Sequence, residues 1–566
     1  MPVSGFITTT SNMVSRHEHG TSTLMRRKIN DAFRRKHHHQ KTEDDRISVT
    51  SEGSDSEVNE QILKKRLTYV RAMRLRSSVY CTMQPRWALQ YSKLYEYAVI
   101  VSLKINPETR RYEPYEMKRF PHEVSDSQTD KLRAIPEFCF PDAFKWAPVE
   151  QYNSESFCFV LTSSDGSRLY GYNRRILPPG KGPRLPEVVC VMSPIGCYPI
   201  YNQLLDEIEI RRKHSMAAVD NLLKLSQDCP FPRPGSHVKV STPPNNNNWK
   251  KHHSSQLDPK PLILQRPQDQ RLEHVDFDTL FNCLSVNRIV QIFASLLLER
   301  RVIMCSGKLS KLSRCSQALV GLLYPFSWQH VYVPVLPEKL IDMCCSPTPY
   351  IMGMLSLCIP RLEEMPLEEV LVVDLDARDF YTVVGDEETI LPKKLSLALE
   401  RALKVCSMSS WEGADTDDEL SEDHESKNRA ISEAFIRFFV ETVGHYSNHF
   451  TQQYDGSQKF DRESFVKAIS SKSVRNFLEV FSETQMFSLF IQEKESESEG
   501  ISQGKGLFER RVREFENESK SNSKNIGAKM KKFGKAVKEI KDSGLKLAES
   551  AKIAQKRMKQ NFEDKI

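Results

Sequence analysis

The chain has 566 residues, 39% of them hydrophobic and 27% charged, which exceeds one ordinary core and indicates at least two folded domains diluted by polar segments. Its net charge of +7 comes from the tail, because Lys524 to Ile566 hold 13 Lys and Arg against five Asp and Glu. A basic tail on an otherwise neutral chain argues against a folded nucleic-acid-binding domain, which would gather its cations on one folded face.

The sequence predicts a cytoplasmic protein. It has no apolar run of about 18 residues that could span a bilayer, and its start does not resemble a signal peptide. Residues 1–86 are expected to be mostly disordered, since the first sixty mix Ser, Thr, His and charge. Order is expected to begin near Trp87. The tract His37 to His39 and the scattered cysteines lack partner ligands at metal-binding spacing, so no metal site or cofactor is predicted.

Residues 87–240 predict an antiparallel α+β lobe. The stretch Leu94 to Ile105 is rich in β-branched and aromatic residues, as a buried strand is. Ser156 to Leu177 divides around an Asp-Gly pair that favours a tight hairpin. Ile200 to Leu225 has apolar residues at helical spacing, so a helix should follow the strands.

Residues 241–270 are expected to form a polar linker, and residues 271–411 an α/β lobe. After the linker, helical and strand-like segments alternate, for example VNRIVQIFASLLLE followed by RVIMC. Such alternation is typical of a mostly parallel sheet with helices on its faces. In YPFSWQHVYVPVLP, residues Val331 to Leu336 predict a strand, and Pro334 should lie at its end or on an edge. Trp328 could either cap the core or face a partner.

The remaining folded part is predicted to be helical. Residues 412–427 are so acidic that a solvated loop is expected. Residues 428–495 then show strongly amphipathic stretches, beginning with ISEAFIRFFVETVGHYSNHF. Phosphate-binding loops, nucleophile elbows, zinc helices and kinase catalytic loops are all missing from the sequence. No covalent catalyst is therefore predicted.

At this point several motifs resemble a known family, the DENN domain. Ser295 to Leu355, which contains RRVIMCSGKLSKLSRCSQALVGLLYPFSWQH, resembles its central segment. IPEFCFPD and FCFVLTSSDGSRLYGYNRRILP resemble the upstream part, and ISEAFIRFFVETVGHYSNHF with SSKSVRNFLEVFSETQMFSLFIQE the downstream part. Within this family, the motifs are most similar to those of the DENN domain-containing type 2 group. The resemblance implies a longin-like first lobe, an α/β second lobe, and guanine-nucleotide exchange on a Rab-family small GTPase held between the lobes.

An exchange factor acts through a binding surface, so loop residues near strand ends of the second lobe are the predicted contacts. Arg300 and Arg301 are included, although cations at a helix end commonly serve its dipole. The predicted GTPase-contacting residues are Ser306, Lys308, Ser310 and Lys311; Trp328 and Gln329; Ser346, Pro347 and Tyr350; Arg300 and Arg301; and Tyr170 and Arg174 of the first lobe. Two alternatives stay open: a scaffold that binds a GTPase without releasing nucleotide, and an interaction platform that recruits proteins through the acidic loop and the tail.

Residues 496–566 are expected to comprise a linker and a basic amphipathic helix. From Lys524 to Lys559, apolar residues recur at steps of four and three. That spacing fits a helix lying on an anionic membrane surface, or a coiled coil. The residues predicted to meet the membrane are Lys529, Lys531, Lys532, Phe533, Lys535, Lys538 and Lys541. A peripheral association with endomembranes or vesicles is the corresponding expectation.

Overall fold

A computed structural model describes most of the chain outside its two ends. The described ranges are 52–77, 93–121, 132–162, 167–240, 261–267, 277–408, 417–452, 454, 458–497 and 506–518. The predicted membrane-binding residues of the tail lie outside these ranges.

The first lobe is built on a five-stranded antiparallel sheet with strand order β2-β1-β5-β4-β3. Its strands are β1 (Tyr97–Ile105), β2 (Tyr112–Phe120), β3 (Glu155–Thr162), β4 (Arg168–Ile176) and β5 (Glu187–Ser193). Every residue of the central strand β5 is buried, because both faces of the sheet are covered. The predicted antiparallel pairing is confirmed.

Helices cover one face of this sheet. These are α3 (Tyr198–Arg212) and α4 (Met216–Gln227), which follow β5, whereas the small helix α2 (Ile135–Cys139), which precedes β3, lies on the other face. Helices α3 and α4 share a buried cluster with one face of the sheet. At the start of α4, Ser215 Oγ accepts a hydrogen bond from Ala218 N at 3.1 Å, an N-cap that satisfies one otherwise unpaired amide.

The opposite face of the sheet meets α2 and the second lobe. Phe159 of β3 stacks on Phe138 of α2 with 5.0 Å between ring centroids. The same buried cluster contains Ile303 and Met352 of the second sheet. Arg175 fastens the turn after α2, because its guanidinium donates to both carboxylate oxygens of Asp142, at 2.9 and 3.1 Å. The two lobes therefore share a continuous apolar interior.

A short ladder follows the first lobe. Strand β6 (His237–Val240) pairs antiparallel with β7 (Leu262–Gln265). Part of the expected polar linker is thus a strand, because Leu264 is buried against the cluster around α3 and α4.

The second lobe contains a five-stranded sheet with order β12-β11-β8-β10-β9. Strands β8, β9, β10 and β11 run parallel, and β12 pairs antiparallel with β11. The strands are β8 (Arg301–Ser306), β9 (Val331–Val333), β10 (Tyr350–Leu355), β11 (Val370–Asp374) and β12 (Asp379–Thr382). The predicted mostly parallel sheet is confirmed, and Pro334 directly follows the edge strand β9, as expected for a residue without an amide hydrogen.

Helices surround this sheet and continue into a helical block. The helices of the sheet layer are α5 (Phe277–Cys283), α6 (Val286–Leu297), α7 (Leu309–Gly321) and α8 (Ile359–Glu363). The block consists of α9 (Lys393–Met408), α10 (Asp417–Val443), α11 (Arg462–Lys467), α12 (Lys472–Phe481), α13 (Gln485–Glu497) and α14 (residues 507–518). A short hairpin of β13 (Phe450–Gln452) and β14 (Gln458–Phe460) joins α10 to α11.

Aromatic side chains connect the block to the sheet layer. Phe326 lies 5.0 Å from both Phe439 and Phe481, measured between ring centroids, in edge-on arrangements. Phe293 of α6 packs edge-on against Phe435 at 4.8 Å. Edge-to-face pairs of this kind add about 0.5–1.5 kcal/mol to the burial of apolar area.

The prediction of a solvated loop over residues 412–427 is partly wrong, because α10 already begins at Asp417. Acidic residues near a helix N-terminus interact favourably with the helix dipole, and Glu and Lys are good helix formers. An acidic tract can therefore extend a core helix outwards.

The expectation that order begins near Trp87 is also wrong. Helix α1 (Glu52–Ser77) precedes the first lobe. Its apolar residues Leu63, Leu67, Val70 and Met73 follow helical spacing, and Val70 and Met73 are buried. The helix packs beside α12 and against the core of the second lobe, so this apolar stripe outweighs the polar composition around it.

Within the described ranges, no single helix is long and apolar enough to cross a bilayer. Two consecutive helices, Phe277–Cys283 and Val286–Leu297, reach the required length and apolar content only when they are counted together, and the chain bends sharply between them.

Candidate functional site

The structure divides the predicted contact residues between two opposite edges of the second sheet. Parallel strands begin at one edge and end at the other. Ser306 is the last residue of β8, and Lys308, Ser310 and Lys311 follow it, so all four lie at the carboxyl edge. The residues that precede or begin strands β8, β9 and β10 lie at the amino edge: Arg300, Arg301, Trp328, Gln329, Ser346, Pro347 and Tyr350.

Several amino-edge residues serve the interior. Trp328 is 1% exposed and donates from Nε1 to the Val331 carbonyl at 3.3 Å. Tyr350 is fully buried and donates to the Cys344 carbonyl at 2.8 Å. Arg300, 6% exposed, places Nη2 2.6 Å from Asp386 Oδ1. These three side chains contribute to packing and internal charge pairing, and Trp328 caps the core.

Helix α1 covers part of the same edge. Arg76 donates to the Pro347 carbonyl at 3.4 Å, and Arg66 donates to Asp386 Oδ2 at 2.8 Å. Arg301 donates to the Ser346 carbonyl at 3.5 Å and also to that of Glu368. Gln329 is partly exposed. The amino edge is therefore largely occupied by the chain itself.

The carboxyl edge is organised by a carboxylate that the sequence analysis missed, Asp376. It accepts hydrogen bonds from Gly307 N at 2.6 Å, Ser306 Oγ at 3.0 Å and Lys311 Nζ at 2.5 Å. Asp374 Oδ1 accepts from the Asp376 amide at 2.9 Å and so shapes the turn that presents it. We call Ser306, Gly307, Lys308, Lys311 and Asp376 the carboxyl-edge site.

The charges of this site support each other. Burial disfavours the charged form of Asp376, but Lys311, the Gly307 amide and Ser306 together hold the pKa of Asp376 below its usual value. Burial likewise opposes the charge of Lys311, yet Asp376 raises the pKa of Lys311. Both groups stay ionised near neutral pH, so the edge presents a fixed ion pair. Lys308, at the start of α7, is exposed beside it.

The first lobe borders this site across a seam. Glu155 Oε1 of β3 accepts hydrogen bonds from Ser310 N at 3.0 Å and from Ser310 Oγ at 2.7 Å. Ser310 therefore joins the lobes at the start of α7. Further along, Arg168 Nη2 donates to the carbonyls of Trp328 at 2.6 Å and His330 at 3.2 Å. We call the contacts of Glu155 and Arg168 with the second lobe the interlobe seam.

The two first-lobe candidates have different surroundings. Tyr170 is half-buried and stacks on Tyr172 at 6.3 Å between ring centroids. Arg174 is paired within its own lobe, since its guanidinium lies 2.7 Å from Glu209 and 2.9 Å from Asp206 of α3. Both residues therefore have intralobe partners.

The residues of this site are polar and charged groups that suit binding. Among the described residues, no group of three or more His, Cys, Asp or Glu side chains is placed to hold a metal. An exposed lysine beside a fixed ion pair can complement an oppositely charged patch on a protein partner.

Comparison with known families gives three matches in chain order. The uDENN domain model matches residues 114–176, the DENN (AEX-3) domain model residues 184–378, and the dDENN domain model residues 460–511. Curated proteins extend the agreement. DENN domain-containing protein 2D of Mus musculus is 40% identical over 434 residues, covering 75% of this chain and 87% of that protein.

The chain belongs to the DENN family. DENN domain-containing protein 2B of Homo sapiens is 47% identical over 474 residues, which cover 82% of this chain and 40% of that protein. DENN domain-containing protein 2A of Homo sapiens is 46% identical over 481 residues, with coverages of 82% and 46%. The chain thus spans less than half the length of these two relatives.

The DENN models place the site within the family's shared region. All five residues of the carboxyl-edge site lie in the DENN match, and Glu155 lies in the uDENN match. Helix α1 precedes the first match. Asp376 could have been noticed in the sequence, because EVLVVDLD ends an apolar strand with two alternating acids.

Proposed function

We propose that this DENN protein is a guanine-nucleotide exchange factor that promotes GDP release from a Rab-family small GTPase in vesicle trafficking. The observation that carries the proposal is the ordered uDENN, DENN and dDENN series across the described fold. Members of the family generally act on Rab proteins, and they do so by binding rather than by covalent catalysis.

The energetic task explains why a binding surface suffices. A GTPase that holds nucleotide with a nanomolar to picomolar dissociation constant gains about 12–16 kcal/mol from it. A ten-thousandfold faster release needs the barrier lowered by about 5.5 kcal/mol. A factor that binds the nucleotide-contacting loops in a shape incompatible with Mg²⁺ and phosphate supplies this difference, and the weakening is reciprocal.

The carboxyl-edge site is the proposed contact surface. Lys308 is exposed, Lys311 is partly exposed and fixed by Asp376, and the first lobe adjoins them through Glu155. Open α/β sheets bind ligands at the carboxyl ends of their strands. A GTPase seated here would meet both lobes.

A non-exchanging scaffold is the second candidate. It is supported by the burial of Trp328, Tyr350 and Arg300, three of the predicted contact residues. A scaffold could hold the GTPase on other residues and leave its nucleotide in place.

Affinity for different nucleotide states separates the two candidates. By linkage, an exchange factor binds the nucleotide-free GTPase more tightly than the GDP-bound form, by the factor with which it weakens GDP. We expect at least about a hundredfold preference (2.7 kcal/mol) for one nucleotide-free Rab protein, measured by titration calorimetry with the full chain. Equal affinities for both states would support the scaffold.

Recruitment to a membrane by the basic tail completes the proposal. Each lysine near an anionic surface contributes about 1 kcal/mol, and a cytoplasmic factor held on vesicles would meet lipid-anchored GTPases. Co-sedimentation of the full chain with liposomes containing an anionic lipid tests this, with neutral liposomes as control. Equal sedimentation with both would remove the electrostatic membrane contact.

A further inference from the structure

Glu299, between α6 and β8, is an unusual residue to find in the interior. It is fully buried, and its backbone φ of +52° lies in the left-handed region that residues with a side chain rarely occupy. Burying an ionised carboxylate is costly unless it is paired and hydrogen-bonded. The contacts of Glu299 therefore show which interactions offset the cost of burying its charge.

The carboxylate of Glu299 holds the start of the helical block. Its Oε2 accepts from Gln485 N at 3.0 Å, and its Oε1 accepts from Met486 N at 2.7 Å. These are the first amides of α13. The Glu299 carbonyl accepts from Tyr69 OH of α1 at 3.3 Å. One residue thus contacts two elements that are distant in sequence.

The same carboxylate reaches the segment that carries the interlobe seam. His330 Nε2 lies 3.1 Å from Glu299 Oε1, an electrostatic contact rather than an aligned hydrogen bond. The ring of His330 packs edge-on against Trp328 at 5.1 Å between centroids. The carbonyls of these two residues are the ones that Arg168 of the first lobe binds. A continuous path runs from α13 through Glu299 and His330 to Arg168.

A buried polar cluster around a carboxylate is rarely the most stable solution for a core, since apolar residues of similar volume often serve equally well. Its value lies in fixing one arrangement of groups. We propose that Glu299 and His330 are positioning residues for nucleotide exchange: they hold the Trp328–His330 segment in the arrangement that Arg168 binds and so set the first lobe against the carboxyl-edge site. The role of these residues in exchange rests on the proposed function, whereas the coupling between the lobes does not.

The chain supplies a matched control in Glu387. This glutamate is also buried, at 6% exposure, and its carboxylate also accepts two backbone amides, Val384 N at 2.6 Å and Gly385 N at 2.9 Å. It lies in the same lobe. None of its described hydrogen bonds leads to Trp328, His330 or the first lobe.

Hydrogen-exchange mass spectrometry on the full chain tests the coupling. Glu299→Gln should increase the rate of amide hydrogen exchange in the first turn of α13. If the coupling exists, the rate should also rise about tenfold in residues 326–333 and in β4 around Arg168. Glu387→Gln should leave those two regions unchanged. Because Glu299→Gln could unfold the chain, His330→Gln is the second variant, since it leaves the Glu299 bonds to α13 in place. Changes confined to α13, or equal changes with Glu387→Gln, would overturn the inference.

A double-mutant cycle tests the role in exchange. If Glu299 acts through Arg168, Glu299→Gln should slow GDP release about fivefold in the wild-type background and less than about twofold in an Arg168→Met background. If Glu299→Gln only destabilised the fold, it would slow GDP release by the same factor in the wild-type and the Arg168→Met backgrounds. That result would overturn the positioning role. If the wild-type chain accelerates no GTPase, the proposed function fails and the hydrogen-exchange comparison alone decides the interlobe coupling.

Discussion

At the carboxyl edge of the second sheet, two neighbouring lysines have different duties. Lys311 is held by Asp376 at 2.5 Å, and its side chain is 27% exposed. Lys308 is exposed at the start of α7. Lys311 therefore contributes to the architecture of the site as well as its charge, while Lys308 is available to a partner. A substitution at Lys308 is the cleaner probe of binding.

Charge reversal at Lys308 should weaken exchange without unfolding the protein. We expect Lys308→Glu to lower kcat/KM for GDP release by about tenfold, about 1.4 kcal/mol, and to change the free energy of unfolding by less than about 0.5 kcal/mol. Lys404→Glu, at an exposed position on α9, is the matched control. Should both variants lose activity equally, a local contact at Lys308 would be refuted.

Glu299 gives a pH dependence whose sign follows from its surroundings. Burial disfavours its charge, but His330 and the amides of Gln485 and Met486 outweigh burial and lower the pKa of Glu299. A carboxyl group whose pKa is lowered by folding stabilises the protein at pH values above its unfolded-state pKa of about 4.3. This stabilisation is lost as the pH falls through the folded-state pKa.

Thermal unfolding at several pH values measures this contribution. We expect the difference in unfolding midpoint between wild type and Glu299→Gln to be largest near pH 7 and to shrink below about pH 4. The comparison between the two proteins removes the effect of the other carboxylates. A difference that grows on acidification would contradict the assigned charge state.

The sequence identified the polar residues at strand ends but could not assign them to an edge. Ser306 and Ser346 both accompany apolar strand segments, yet the parallel register places Ser306 at the end of β8 and Ser346 before the start of β10. Trp328 had two possible roles, because an aromatic residue before a strand can be core or contact. The packing around Trp328 leaves 1% of this residue exposed, which assigns it to the core.

At the scale of elements, helix α1 extends the folded unit beyond the family matches. It is anchored by Val70 and Met73 on the apolar side, and its basic residues pair with acids of the body. Arg71 and Arg74 both lie within 3.5 Å of Glu483. The sequence pattern of α1 is weak, because its few apolar positions lie inside a charge-rich region.

One buried side chain of α1 should matter more than an exposed one two residues away. Met73 is 4% exposed and Leu75 is 78% exposed. We expect Met73→Ala to lower the free energy of unfolding by about 2–3 kcal/mol and Leu75→Ala to lower it by less than about 0.5 kcal/mol. Urea denaturation of both variants provides the measurement. Equal, small effects would show that α1 does not depend on this contact.

At the scale of the whole molecule, the two lobes and the helical block form one body. The predicted order of an antiparallel lobe, a mostly parallel lobe and helices is confirmed, because alternating apolar segments and their spacing determine layer type. The seam between the lobes could not be predicted. Glu155 meets Ser310 across 155 positions of the chain, and no local pattern reports such a contact. The sequence resemblance, in contrast, indicated the family correctly.

The described structure also corrects the limits of the folded unit. Phe508 and Val512 of α14 are buried, and Arg511 binds Glu433 with two bonds of 2.8 Å. The expectation of a linker directly after residue 495 is therefore partly wrong, because residues 507–518 form a packed helix. A segment limited to residues 87–495 would lose both α1 and α14. Functional measurements therefore need at least residues 52–518.

The most direct test of the central claim is the rate of GDP release. The full chain is added at catalytic concentration to a complete panel of purified Rab proteins loaded with a fluorescent GDP analogue, in the presence of excess GTP. The proposed function predicts that at least one Rab protein releases its nucleotide a hundredfold or more, about 2.7 kcal/mol in barrier height, faster than its intrinsic rate. If a folded, monodisperse chain leaves every Rab protein at its intrinsic rate, nucleotide exchange is not the function of this protein.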